Sequence, residues 1–159
     1  MTIDALIDAY QEAWSGRDAS AFAPLCAEDV HYEDPLTHPL TGAAEIGAHA
    51  ERLWSGFPDA RVEQTGPRMT SGRHVSAPMK LVATHRGELE GLPATNRFLV
   101  AQLVVVAELH PDDDVLWRVR SFFDAYGVGQ QLGLLPEPGT LGGKALLMLR
   151  GFGLRSRNA

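Results

Sequence analysis

The chain has 159 residues, 45% of them hydrophobic, enough for one domain that buries its own core. A formal charge of -6 excludes a nucleic-acid or anionic-membrane surface as the first expectation, because the field would repel phosphates, and favours a small neutral or apolar ligand. Cys26 is the single cysteine, so no internal disulfide forms, and its apolar helical setting reads as a buried thiol.

The N-terminus carries Asp4 and Asp8 where a secretion signal would carry basic residues, and no apolar run is long enough to span a bilayer, so the expected location is cytoplasmic. Ile3, Leu6, Ile7, Tyr10, Ala13 and Trp14 recur at helical spacing and stop at Ser15 and Gly16, which predicts an amphipathic helix with Tyr10 turned inward. A shorter helix capped by Asp18 or Ser20 should bury Phe22, Leu25 and Cys26, with Pro24 early in it. Val30 to Asp34 reads as a short strand ended by Pro35. A third helix from Thr41 and Gly42 presents Ile46, Ala50, Leu53, Trp54 and Phe57 along one stripe, with His49 at its margin.

From Ala60 the period changes to alternation, with strands expected over Ala60 to Thr65, His74 to Arg86, Arg97 to Leu109 and Val115 to Asp124. Helices followed by such a run predict an α+β fold, helices packed on one face of a curved sheet. Val75, Ala77, Met79, Leu81, Ala83 and His85 share the inner face of the long strand, and Pro78 within it implies an edge position or a bulge. A single domain is read over residues 1–135. Residues 136–159 form a tail with Gly139, Gly142, Gly143, Gly151 and Gly153, a Leu-rich run from Ala145 to Leu149, and unbalanced Lys144, Arg150, Arg155 and Arg157; it is expected to pack on its own domain or on a partner subunit.

Four polar side chains fall where the pattern turns inward: Tyr10, Asp34, His85 and Asp124. In a cavity walled by Trp, Phe, Leu and Val, such groups suit enolisation: a carboxylate removes a proton next to a carbonyl, and Tyr or His donates a hydrogen bond to the oxyanion. Each also has a purely structural reading. Tyr10 could bond to backbone in the core, Asp34 could cap a turn before Pro35, and His85 could be a satisfied core histidine. Asp124 closes the apolar strand containing Val119 and Phe123, where lost hydration would raise its pKa, yet strand parity groups it with Arg118 and Arg120. A bulge near Ser121 would be needed to turn it inward. The candidate lining for a substrate is Tyr32, His49, Leu53, Trp54, Phe57 and Phe122. His31, His38, His49, His74, His85 and His110 lack the paired spacing of a zinc helix, Asp112 to Asp114 make a turn, and no glycine-rich phosphate loop follows a strand, so neither metal nor cofactor is expected.

Three stretches together resemble the nuclear-transport-factor-2-like superfamily, and within it the SnoaL-like polyketide cyclases and ketosteroid isomerases. They are Tyr10 with Gly16-Arg17-Asp18, Ala27-Glu28-Asp29-Val30, Glu33-Asp34-Pro35, Pro39 and Gly42; Thr84-His85-Arg86-Gly87-Glu88-Leu89 with Gly91-Leu92-Pro93-Ala94-Thr95-Asn96-Arg97; and Phe123-Asp124 with Gly127 and Gln130-Gln131-Leu132-Gly133. The resemblance covers about residues 3 to 135. It implies a cone-shaped curved antiparallel or mixed sheet, three N-terminal helices closing a deep pocket, and a homodimer. It also implies a cofactor-independent acid/base aspartate at Asp124 in the cyclase pattern. In the ketosteroid-isomerase pattern the aspartate falls at Asp34 and the oxyanion tyrosine at Tyr10, while a second oxyanion donor is replaced by Val104. The related limonene epoxide hydrolases carry Arg and Asp where this chain has His85 and Gly87, which demotes epoxide opening. The expectation is an isomerase or cyclase acting on a hydrophobic carbonyl compound, with Asp124 as base, His85 as its partner, and Asp34 with Tyr10 as the rival pair. The alternative is a non-catalytic module binding a hydrophobic ligand or a partner chain.

Overall fold

The computed structural model describes residues 1–137, 139–145 and 148. Helix α1 (Ile3–Gly16) is capped by the Thr2 side chain accepting from Ala5 N–H, and its periodic residues Leu6, Ile7, Tyr10 and Ala13 are buried. Arg17 ends it in the left-handed conformation, φ 60°, and its guanidinium donates to the carbonyls of Ser15, Pro58 and Ala60, which ties the helix end to the entry of the sheet.

The second expected helix is instead a 3₁₀ segment, Ala19–Leu25, capped by Asp18 and burying Phe22 and Leu25. Pro24 removes an amide from a stretch this short, which leaves no α-helical ladder to build. Cys26 is not part of it. Cys26 opens strand β1 (Cys26–Glu33), four residues before the expected start at Val30, and burial pushes its thiol up to about 12. The early start has a nonlocal cause: β1 pairs in parallel with β7, with Cys26 opposite Leu116 and a register shift before His31 opposite Arg118. After the short β2 (Leu40–Thr41), helix α2 (Ala43–Gly56) buries Ile46, His49, Ala50 and Trp54.

The remaining strands are β3 (Arg61–Gln64), β4 (Met69–Ser71), β5 (His74–Thr84), β6 (Phe98–Leu109) and β7 (Leu116–Phe123), followed by helix α3 (Ala125–Gln131). The sheet order is β2-β1-β7-β6-β5-β3, with β4 also paired to β5; all pairings are antiparallel except β1 with β7. Pro78 therefore lies in an interior strand rather than on an edge. It sits between the stretches paired to β3 and to β4, where its carbonyl accepts from Thr65 N–H and its missing amide leaves no partner short. The alternation in β5 holds through Met79, with Val75, Ala77 and Met79 buried; beyond it Leu81 is half-buried and lines the cavity, while Val82 and Ala83 are both buried, as is His85 just past the strand.

Of the Leu-rich run in the tail, Ala145 and Met148 are described; Arg150, Gly151, Gly153, Arg155 and Arg157 lie outside the described residues. Among the described residues no helix is long and apolar enough to cross a membrane.

The β5–β6 connection, residues 85–97, folds back on α2. Arg86 and Gly87 donate backbone hydrogen bonds to the Gly56 carbonyl, 3.0 Å each, and Leu89 and Leu92 bond to one another around Glu90 and Gly91, both at positive φ. A methyl group on Gly87 would overlap the Ser55 carbonyl. Gly87→Ala is therefore expected to lower the unfolding free energy by roughly 1–3 kcal/mol in urea titration, because a backbone atom cannot move aside as a side chain can.

Candidate active site

Strand parity selects the first two polar groups. Val30, Tyr32 and Asp34 alternate along β1 and its end and face inward, while Pro35 holds Asp34 extended and stops the strand. The Asp34 side chain is only 3% exposed, so donors must replace the water it loses. Leu36 N–H donates to Oδ1 at 2.7 Å in a local turn, the Tyr32 hydroxyl donates to Oδ2 at 2.8 Å, and His49 Nε2 lies 2.9 Å from the same oxygen.

His49 reaches Asp34 from the margin of the apolar stripe on α2, and one turn on, Arg52 Nη2 lies 3.4 Å from His49 Nδ1. An ionised carboxylate only accepts, so His49 donates its Nε2–H to Asp34. Burial is the largest single influence on Asp34 and pushes its pKa up; the bonds from His49, Tyr32 and Leu36 N–H together outweigh it and hold the carboxyl below the usual value. Tyr32 is held well above the ordinary phenol range, first by burial, and stays a neutral donor.

Asp34 opens onto a cavity of about 230 Å³ between the helices and the inner sheet face. Its walls are mainly apolar, including Leu53, Trp54, Phe57, Met79, Leu99 and Val105, and the oxygen-bearing side chains among them are those of Tyr10, Tyr32, Asp34 and Ser121. Tyr10 comes from the buried face of α1 and packs edge-on against Trp14 and Phe22. Its hydroxyl is buried and has no hydrogen-bond partner among the described residues; burial raises its pKa strongly, so it keeps its proton. An orphaned buried donor facing an apolar cavity is a group whose partner is a ligand or a water.

Several expected residues lie elsewhere. Asp124 is exposed: it caps α3, its side chain accepting from Gly127 N–H at 2.9 Å. The bulge that would have turned it inward does not occur, since the β6–β7 register runs unbroken from Leu103 opposite Phe123 to Glu108 opposite Arg118. Asp124 thus shares the outer side with Arg118, Arg120 and Phe122, all exposed. Phe122 is corrected with it: the neighbour on the other face, Phe123, lines the cavity. Val104 faces outward too, and Leu103 and Val105 line the wall.

His85 is fully buried but does not line the cavity. Thr95 N–H donates to its Nδ1 at 3.2 Å, its ring lies on Phe57 with centroids 5.2 Å apart, and its Nε2 has no partner among the described residues. His85 follows directly on the end of β5, and its backbone bonds to Asn96 and Arg97 fasten the base of the 85–97 connection. Tyr32, Leu53, Trp54 and Phe57 do line the cavity, whereas His49 stands behind Asp34. Trp14, Ser121, Leu89 and Leu92 are lining residues that the sequence reading missed, although the alternation of Ser121 with Val119 and Phe123 carried the signal for it. Among the described residues no group of three His, Cys, Asp or Glu could hold a metal ion.

The family model for SnoaL-like polyketide cyclases matches residues 4–132, and the chain belongs to that family. No curated protein sequence matches the chain. Among solved structures it is similar to TsrD from Streptomyces laurentii, with TM-score 0.73, 19% identity, and 84% of this chain and 96% of that chain covered. A protein of ketosteroid isomerase-like fold from Catenulispora acidiphila aligns with TM-score 0.70 and 19% identity over 84% of this chain and 95% of that one. An epoxide hydrolase from M. tuberculosis, described as LEH-like, aligns with TM-score 0.62 and 15% identity over 91% and 93% of the two chains. At these identities the likeness establishes the fold.

Because Asp34 is held below its ordinary value of 3.8, it contributes stability that is present above that value and is lost as pH falls through the lowered folded value. The deficit of Asp34→Asn relative to the native chain, read from urea titrations at neutral and acid pH, is expected to be largest at neutrality and to shrink below the ordinary carboxylate value; a constant deficit would contradict it. Asp124→Ala is expected to lower stability by about 1 kcal/mol through loss of the helix cap, with the same readout.

Proposed function

We propose that this chain is a cofactor-independent isomerase or cyclase for a hydrophobic carbonyl compound of polyketide or steroid type, with Asp34 as the base and Tyr10 as the oxyanion donor. The observation that carries this reading is that an ionised carboxylate and an unpartnered hydroxyl open onto one apolar cavity. Membership of the SnoaL-like family supports the substrate class.

In this mechanism Asp34 takes the proton from the carbon next to the carbonyl, and the C–H electron pair becomes the enolate. Tyr10 donates a hydrogen bond to the oxyanion and keeps its own proton, as its raised pKa requires. The enolate then either attacks a second carbonyl in the same molecule, closing a ring, or takes a proton at a remote carbon, and Asp34 returns the proton in both cases. A base held below the usual carboxylate range is ionised at neutral pH but weak, so the reaction leans on oxyanion stabilisation and on exclusion of water by the apolar wall. His49 and Tyr32 keep the carboxylate in place. Asp124 and His85, the other expected catalytic pair, have no part in it, one being exposed and the other lying behind Phe57.

With β,γ-unsaturated cyclic ketones and polyketide-type keto esters as trial substrates, Asp34→Asn is expected to lower kcat by at least ~10² and Tyr10→Phe by ~10²–10³. Turnover of a true substrate unchanged by Asp34→Asn would sink the assignment. Tight binding of a hydrophobic ligand without turnover would favour the non-catalytic module instead.

We also propose that the chain is a homodimer through the outer face of β6 and β7. Phe98, Val104, Val106 and Phe122 stand on that face, 58%, 38%, 37% and 55% exposed, with Val104 opposite Phe122. Phe122→Glu is expected to shift the sedimentation mass from dimer to monomer; a monomeric native chain would refute the dimer.

A further inference from the structure

Beside the apolar cavity lies a second, polar and more open pocket, lined by Pro35, Leu36, Thr37, His38, His49, Arg52 and Glu90. Leu36 borders both spaces, and the Asp34–His49 pair divides them, Asp34 lining the cavity and His49 the polar pocket. Leu36 is 51% exposed, so a ligand can pass it with one end in each space.

Arg52 is the cation of this pocket. Among the described residues it meets no carboxylate within 4.0 Å, and the one hydrogen bond of its guanidinium is the 3.4 Å contact to His49 Nδ1. Arg61, Arg68, Arg73, Lys80, Arg118 and Arg120 are engaged in ion pairs and Arg17 on backbone carbonyls; Arg86 and Arg97, like Arg52, have no ion pair among the described residues, but neither lines this pocket. The side chains of Thr37 and His38, also in the pocket, make no hydrogen bond within the described residues. Unspent donors around one guanidinium form a cradle for an anionic group. Glu90 opposes it from the tip of the 85–97 connection, exposed and, among the described residues, without an ion-pair partner, and so weakens the preference.

We infer that the polar pocket is a subsite for an anionic group, a carboxylate or sulfonate, carried by a ligand whose apolar body fills the neighbouring cavity, and that Arg52 is its recognition residue. This rests on reading the cavity as the ligand site, and it narrows the substrate class to amphipathic carbonyl compounds with one acidic substituent. Asp34 would act on the carbonyl part while Arg52 fixed which end of the molecule entered first.

Two dyes test it without any turnover. 1-Anilinonaphthalene-8-sulfonate and N-phenyl-1-naphthylamine share one aromatic skeleton, and only the first carries a sulfonate. The native protein is expected to bind the sulfonate about fivefold more tightly, the scale of one exposed charge contact, and the preference should fade as salt is raised. Arg52→Gln should bring the two dissociation constants together, Arg52→Lys should retain part of the difference, and Glu90→Gln should widen it. Equal binding of the dyes to the native protein, a preference that survives Arg52→Gln, or no saturable binding of either dye would overturn the inference. A protein that passes this test yet turns over no substrate would count against the proposed catalysis and leave the subsite standing.

Discussion

A carboxylate withdrawn from water stays ionised only where hydrogen-bond donors stand in for the solvent, and much of the site follows from how this fold meets that demand for Asp34. Its donors come from three places: its own turn at Leu36, its own strand at Tyr32, and α2 at His49. The first two are local and follow from the strand ending at Pro35. The third requires α2 to lie across β1, and that placement also seals the cavity with Leu53 and Trp54 from the same helix and Phe57 just past its end. The apolar wall and the satisfied carboxylate are thus two results of one packing arrangement.

The same arrangement separates the two faces of the sheet by chemistry. Along β6 and β7, residues of one parity line the cavity or the core, and those of the other carry Arg118, Arg120, Val104, Val106 and Phe122 outward. A strand cannot turn one residue across this divide without a bulge, and the register through Ser121 has none. That constraint keeps Asp124 on the surface, where its carboxylate caps α3.

The 85–97 connection joins the site to its surroundings. Its base is held by His85, Thr95, Asn96 and Arg97, its middle is docked on the end of α2 through Gly87, and its tip brings Leu89 and Leu92 to the cavity and Glu90 to the polar pocket. The buried histidine thus serves the shape of the connection and does not itself line the cavity. Apolar and polar spaces lie side by side because Leu36 and the Asp34–His49 pair form a thin partition between them.

Periodicity by itself determined the amphipathic α1 and α2, the strand run after Ala60, and the inward direction of Tyr10, Tyr32 and Asp34, since side-chain direction within one element depends only on residue spacing. It also contained the parity that sets Asp124 beside Arg118 and Arg120, which outweighed the apolar character of the strand before it. Three things were decided by tertiary structure: the early start of β1 through parallel pairing with β7, the interior position of Pro78 between two short partners, and the meeting of Asp34 with His49. Each joins groups whose separation along the chain says nothing of their distance in space. A local pattern specifies a direction, but a cavity is made by several elements closing on one another, and only the packed chain brings Tyr10 and Asp34 to the same opening.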